Sequence, residues 1–363
     1  MAAGTISLPI SLLLQKDLPF AVFRLPGSNV TQAIIQERRA VESISFENLD
    51  TAEGFAVAEF NSFKTGIIFL IKPDWKAENG FLPEEIIRSI QALPDTSNFF
   101  TENKEVPELQ YLKMANELIQ ELKEKKLKKV VLSRMLTANT SKSFTAEKFY
   151  QLLETSYRDA FVYLFNLPGK GAWVGATPEV LLRVNEKTVE TVSLAGTMPL
   201  ENVKWADKEL EEQKIVSDSI FQTLKKCGIG NFSQIGPDTV AAGNIAHLKT
   251  VFQFPLSEMK GKTGRLVQEL HPTPAICGLP KEIAFDLISK IEQHERRFYT
   301  GFLGPVNQSG KADLFVNLRC AELGKDKMNI YAGGGLTASS LAESEWEETI
   351  RKSRTLLGVA EKL

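Results

Sequence analysis

Three consecutive glycines, Gly333-Gly334-Gly335, follow the apolar run Ile330-Tyr331-Ala332 and stand just ahead of a helix-forming segment. Glycine loses more conformational freedom on folding than any other residue, so a run of them at the end of a strand requires a compensating reason. One such reason is close approach: without Cβ atoms, backbone N–H groups and ligands can come near each other. After a Ser/Thr-rich turn the chain continues Glu343-Ser-Glu345-Trp-Glu-Glu348-Thr-Ile-Arg-Lys352. Glu345, Glu348 and Lys352 are spaced i, i+3, i+7 and share one helical face. Carboxylates and a base beside open backbone suit a hard divalent cation next to an anion. The same pattern also fits a solvated helix whose charges complement its macrodipole, and this stretch alone leaves both readings open.

Four other places carry candidate chemistry. A helix expected from about Ala206 to Lys226 repeats the i, i+3 acidic pair in Glu209 and Glu212. Lys129 begins the apolar strand Lys129-Val-Val-Leu-Ser-Arg134, where it is either an edge charge or a partly buried amine. Glu179 lies at a strand–turn junction after Thr177-Pro178, as a surface turn residue or as a desolvated carboxyl suited to general acid chemistry. Arg319 closes a mainly apolar strand read over residues 312–321, a placement that calls for an anionic partner, either a protein carboxylate or a ligand carboxylate.

Composition removes several function classes. A formal net charge of −2 and a pI near 6.1 leave no global field for nucleic acid or a membrane surface. The three cysteines, Cys227, Cys277 and Cys320, are widely spaced, as in a reducing compartment. With only three histidines, far apart, any metal is expected on oxygen ligands. The first residues lack the pattern of a secretory leader, and no apolar stretch approaches the ~20 residues of a membrane span, so a cytoplasmic protein is expected.

Short apolar runs separated by Gly, Pro and Asn fill residues 1–105, a strand-rich region with one helix after Pro83. Leu109, Leu112, Ala115, Leu118, Ile119 and Leu122 recur at helical spacing and predict a helix over 107–126. An antiparallel meander is expected over 160–194, a rigid proline-rich loop over Leu270–Pro280, and a helix over 281–294. With no linker and no regular βαβ alternation, the expectation is an α+β fold. It comprises a single domain over 1–363, with one large, mainly antiparallel sheet flanked by helices.

Eight segments in order resemble the motifs of the chorismate-utilising enzymes, which include isochorismate, salicylate, anthranilate and aminodeoxychorismate synthases. They are Lys129-Val-Val-Leu-Ser-Arg, Ala176-Thr-Pro-Glu179, Leu194-Ala-Gly-Thr197, Leu270-His-Pro-Thr-Pro-Ala-Ile-Cys-Gly278, Tyr299-Thr-Gly301, Asn317-Leu-Arg-Cys-Ala321, Gly333-Gly-Gly-Leu336 and Glu345-Trp-Glu-Glu348. The resemblance covers roughly residues 105–360, leaving residues 1–105 as a divergent N-terminal part. It implies that Lys129 activates water and that Glu179 protonates the departing C4 hydroxyl of chorismate. Gly196, Thr197, Tyr299, Arg319, Gly333, Gly335 and Lys352 would hold the substrate carboxylates. Glu212 and Glu348 would bind Mg2+ directly, supported by Glu209 and Glu345.

Lysine at 129, alanine at 195 and the sequence His271-Pro-Thr-Pro-Ala275 resemble the isochorismate synthase version of these positions. The resemblance therefore implies Mg2+-dependent formation of isochorismate, as used for menaquinone or catechol siderophores. The chain would act as a monomer without a glutaminase subunit. A salicylate synthase, which goes on to eliminate pyruvate, is the enzymatic alternative, and a non-catalytic chorismate-binding protein is the other. Gln213 departs from the histidine often found after the metal-binding acid of the family.

Overall fold

The computed structural model describes residues 5–96, 100–102, 104–124, 127–242, 245–259, 261–308 and 310–363. Among these the strands form two sheets rather than one, and every pairing is antiparallel. The first sheet runs Thr5–Ser7, Phe81–Pro83, Trp75–Glu78, Thr31–Ile35, Phe20–Arg24, Phe161–Leu167, Gly171–Thr177, Cys320–Leu323, Lys327–Leu336, Lys129–Asn139, Gly278–Leu279. The second runs Ser233–Ala242, Ile245–Pro255, Thr188–Pro199, Val180–Val184, Ala312–Val316, Phe302–Val306, Gly54–Ala58, Ile68–Ile71, Glu42–Ile44.

The expected meander is thus divided between the sheets. Phe161–Leu167 and Gly171–Thr177 pair in the first, Val180–Val184 and Thr188–Pro199 in the second. The crossing point is Pro178, which has no N–H to offer a ladder. The strand read over 312–321 breaks in the same way. Ala312–Val316 belongs to the second sheet and Cys320–Leu323 to the first. Between them Arg319 takes a φ of 49°, a left-handed conformation that ends the strand instead of continuing it.

An aromatic interior joins the facing surfaces of the sheets. Phe23, Phe161 and Trp173 of the first sheet cluster with Phe55, Leu303 and Phe315 of the second. Phe161 and Phe315 stack with centroids 4.1 Å apart. Alternation along each strand sends the other side chains outward, where helices cover them. Val216, Ile220 and Leu224 of helix Asp207–Lys226 pack with Leu182 and Phe252 of the second sheet. Leu356 and Val359 of helix Ala342–Ala360 pack with Leu164 and Ile330 of the first. The result is an α+β fold of four layers.

The helix expected over 107–126 is described as Glu108–Lys123, with Tyr111, Met114, Ala115, Leu118, Ile119 and Leu122 buried. Leu109 leaves the expected apolar stripe and is 83% exposed. The N-terminal residues contribute to both sheets: Phe20–Arg24 pairs with Phe161–Leu167, and Gly54–Ala58 with Phe302–Val306. The three cysteines are free and buried. No helix among the described residues is long and apolar enough to cross a membrane.

Candidate active site

The two crossings between the sheets are fastened to each other, and this creates the site. Thr177 Oγ1 donates to Val316 O at 2.6 Å, Val316 N–H to Glu179 O at 2.9 Å, and Ala176 N–H to Arg319 O at 3.1 Å. Glu179 and Arg319, remote in sequence, therefore line one cleft of about 690 Å³ counting its open mouth. Val131, Gly196, Glu212, His247, Ile276, Tyr299, the three glycines and Lys352 complete its walls.

Glu179 is 3% exposed, which excludes the surface-turn reading. Burial pushes its carboxyl up to about 8, against the opposing pull of the Lys129 and Lys352 ammonium groups. Lys129 is likewise no edge charge. It is fully buried, and its Nζ lies 2.7 Å from Glu212 Oε1. The strand Gly278–Leu279 covers the sheet edge beyond it.

Gly333, Gly334 and Gly335 lie within the strand Lys327–Leu336, opposite Ser133, Leu132 and Val131. What they supply is space. A Cβ on Gly335 would stand 2.7 Å from Glu212 Oε1 and 2.8 Å from Lys129 Cε. On Gly333 it would meet the Tyr299 hydroxyl at 2.9 Å, and on Gly334 Glu345 Oε2 at 3.0 Å. The absent side chains make room for the polar groups of four other segments.

Gly196 has a different role. The strand Thr188–Pro199 bulges where Gly196 and Thr197 oppose the single residue His247, and Gly196 takes a φ of 68°. Its carbonyl lies 2.8 Å from His247 Nδ1. Burial, with Arg319 nearby, lowers His247 to about 4, so the imidazole is neutral at physiological pH. Thr197 sits on this bulge, but its side chain lies outside the described structure.

The anion-holding candidates converge on the same cleft. Arg319 donates from Nη1 to Thr355 Oγ1 at 2.8 Å, and no carboxylate among the described residues lies within ion-pair distance of it. No acid among the described residues is therefore the expected partner of Arg319. Lys352 donates to Gly333 O at 2.9 Å and pairs with Glu348 Oε1 at 2.6 Å. Tyr299 is buried, stacked on Tyr331 with centroids 5.5 Å apart.

The acidic residues separate into two groups. Glu212, Glu345 and Glu348 gather over Gly334 and Gly335. Glu209 instead accepts a hydrogen bond from Ala206 N–H at 3.2 Å, capping its own helix. Lys208 Nζ pairs with Glu345 Oε1 at 2.7 Å, while the buried Glu345 Oε2 has no hydrogen-bond partner among the described residues. Burial raises Glu345, and Glu348 raises it further. Burial acts to raise Glu348 as well, but the Lys352 ammonium outweighs it and holds that carboxylate below its ordinary range.

No trio of His, Cys, Asp or Glu among the described residues stands at metal-binding spacing, and Glu212, Glu345 and Glu348 are each paired with a lysine. The donor chemistry nonetheless fits Mg2+. Three hard oxygen donors converge on side-chain-free backbone, and one buried carboxylate oxygen lacks a partner among the described residues.

Two features were not legible beforehand. His247 faces the cleft only because a bulge places it opposite Gly196, and the sequence carries no register. Lys208 looks like an ordinary helix-start lysine until helix packing brings it to Glu345. Gln213, which replaces an expected histidine, donates to Thr250 Oγ1 at 2.9 Å in the interior behind the cleft.

A family model described as chorismate binding enzyme matches residues 75–360. The vibriobactin-specific isochorismate synthase of Vibrio cholerae serotype O1 is 28% identical over 262 residues, spanning 69% of this chain and 66% of that protein. Isochorismate synthase DhbC of Bacillus subtilis is 29% identical over 249 residues, 64% of this chain and 62% of that one. The matched stretches thus span just under two thirds of these relatives. A crystal structure of a Bacillus anthracis protein, DhbC, assigned as a 2,3-dihydroxybenzoate-specific isochorismate synthase, superposes with a TM-score of 0.78 at 25% identity. It covers 98% of this chain and 100% of that one.

Proposed function

The chain belongs to the chorismate binding enzymes, and we propose that it is an isochorismate synthase, acting on chorismate with water as the nucleophile. The observation that carries this reading is a buried carboxyl group, Glu179, that keeps its proton up to about pH 8 in a cleft also lined by Arg319 and Lys352. Such a group is an acid at neutral pH, and the two cations suit a substrate with two carboxylates.

Arg319 and Lys352 bind the carboxylates and orient the ring, with Gly196, Gly333 and Gly335 allowing close approach. Lys129 must first release the proton it holds in its pair with Glu212, and then accepts one from the water whose oxygen bonds to C2. Glu179 gives its proton to the C4 hydroxyl, which leaves as water while the ring double bonds shift. One water enters and one departs, so the product is an isomer. The turnover leaves Lys129 protonated and Glu179 ionised, and exchange with solvent resets both. Glu212, Glu345 and Glu348 would hold Mg2+, which supplies positive charge to a substrate carboxylate. The names of the relatives from Vibrio cholerae and Bacillus subtilis support this choice within the family.

The test is incubation of the protein with chorismate and Mg2+, with an EDTA control, followed by chromatography of the products. Isochorismate without pyruvate, lost on chelation, is expected. Salicylate with pyruvate would move the assignment to a salicylate synthase, and the absence of any product would leave a binding protein.

A further inference from the structure

A buried ion pair lies behind the cleft, outside the residues assigned to chemistry. Glu292 and Arg296 have side chains only 2% exposed, with Arg296 Nη2 2.6 Å from Glu292 Oε1. Removing two charges from water is costly unless their remaining hydrogen-bonding groups are satisfied, and here the extra bonds of Arg296 go to the cleft wall. Arg296 Nη2 donates to Val131 O at 2.7 Å and Nη1 to Ile276 O at 2.8 Å. Nη1 also reaches Thr300 Oγ1 at 3.4 Å. Val131, Ile276 and Thr300 all line the cleft and come from three separate segments.

Glu292 anchors a fourth segment. Its Oε1 accepts from Ser133 N–H at 2.7 Å and from Ser133 Oγ at 2.9 Å. Ser133 lies opposite Gly333 in the sheet, on the strand that begins with Lys129. His294 Nε2, 3.0 Å from Ser133 Oγ, joins the same knot.

Resting on the reading of the cleft as a chorismate site, we infer that the Glu292–Arg296 pair is a positioning unit. It sets where the wall stands and hence the spacing of Lys129 from Glu179. It touches no substrate and acts through the backbone of Val131, Ile276 and Ser133. A brace that served stability alone could be weakened without affecting turnover by the folded protein. A positioning unit cannot, because misplacement of reacting groups by an ångström costs roughly 100-fold in rate.

The experiment compares wild type with Glu292→Gln, which keeps the acceptor oxygen and removes the charge, and Arg296→Lys, which keeps the charge and removes the planar fork. Ser133→Ala is the mild third variant, should either of these fail to fold. For folded protein the expected result is kcat lowered roughly tenfold or more with KM within about threefold. A crystal structure of Glu292→Gln is expected to show the Val131 and Ile276 carbonyls displaced. Variants that melt earlier but keep wild-type kcat, KM and wall geometry would overturn the inference. A wild type that makes no isochorismate refutes the functional reading instead, and the crystal structures then decide the placement of the wall independently.

Discussion

Replacing Glu179 by glutamine affects activity and stability in opposite directions. The carboxyl group titrates at about 8 in the folded chain against an ordinary value of 4.5. Between those values the folded protein holds a proton that the unfolded chain releases, so stability must fall as pH rises. The contribution is fully present below 4.5 and is lost as pH passes through about 8. At roughly 1.4 kcal/mol per pH unit, the buried ionised group costs about 5 kcal/mol above that range. Glutamine keeps the shape and cannot ionise, so Glu179→Gln removes the slope. Urea denaturation of both proteins, at about pH 5 and about pH 8.5, measures it. The advantage of the variant over wild type is expected to grow by a few kcal/mol between the two conditions. Turnover by the same variant is expected to fall roughly 100-fold or more, with chorismate binding retained. Parallel pH–stability curves would refute the assignment of a protonated buried carboxyl, and full activity would refute its role as the acid.

Lys129→Ala removes the ammonium partner of Glu212 and the proposed base, so kcat is expected to drop roughly 100-fold or more while calorimetry still detects substrate binding. Gly335→Ala drives a methyl group to within 2.8 Å of Lys129 Cε. It is expected to reduce turnover sharply, with a melting temperature close to wild type, as steady-state kinetics and thermal denaturation together will show. Arg319→Met removes a cation that has no protein carboxylate among the described residues, so KM for chorismate is expected to rise at least tenfold. If Mg2+ displaces lysines from Glu345 and Glu348, adding it at about 100 times its Kd is expected to stabilise the protein by about 2.7 kcal/mol, and a melting temperature unchanged by Mg2+ and EDTA would count against those ligands.

Much of the candidate site was legible because it is written in several short motifs that occur together and in order, although each alone has an ordinary alternative use. Taken singly, the triple glycine, the acidic pairs and Lys129 each had an ordinary alternative; their order along the chain joined them, and the fold brings Lys129, Glu212, Glu345 and Glu348 together around the glycines while Glu209 caps its own helix. Strand and helix content followed from periodicity, with boundaries such as Glu108–Lys123 close to those expected. Other features depended on which segments meet. Periodicity describes one strand at a time, so nothing in the sequence announced that Pro178 and Arg319 each mark a passage from one sheet to the other. The sandwich brings those passages together, and burial between them changes Glu179 from a turn glutamate into a carboxylic acid at neutral pH. The sequence alone determined which chemical groups this protein has at its disposal. Tertiary structure decided which are desolvated, because burial depends on neighbours supplied from remote parts of the chain.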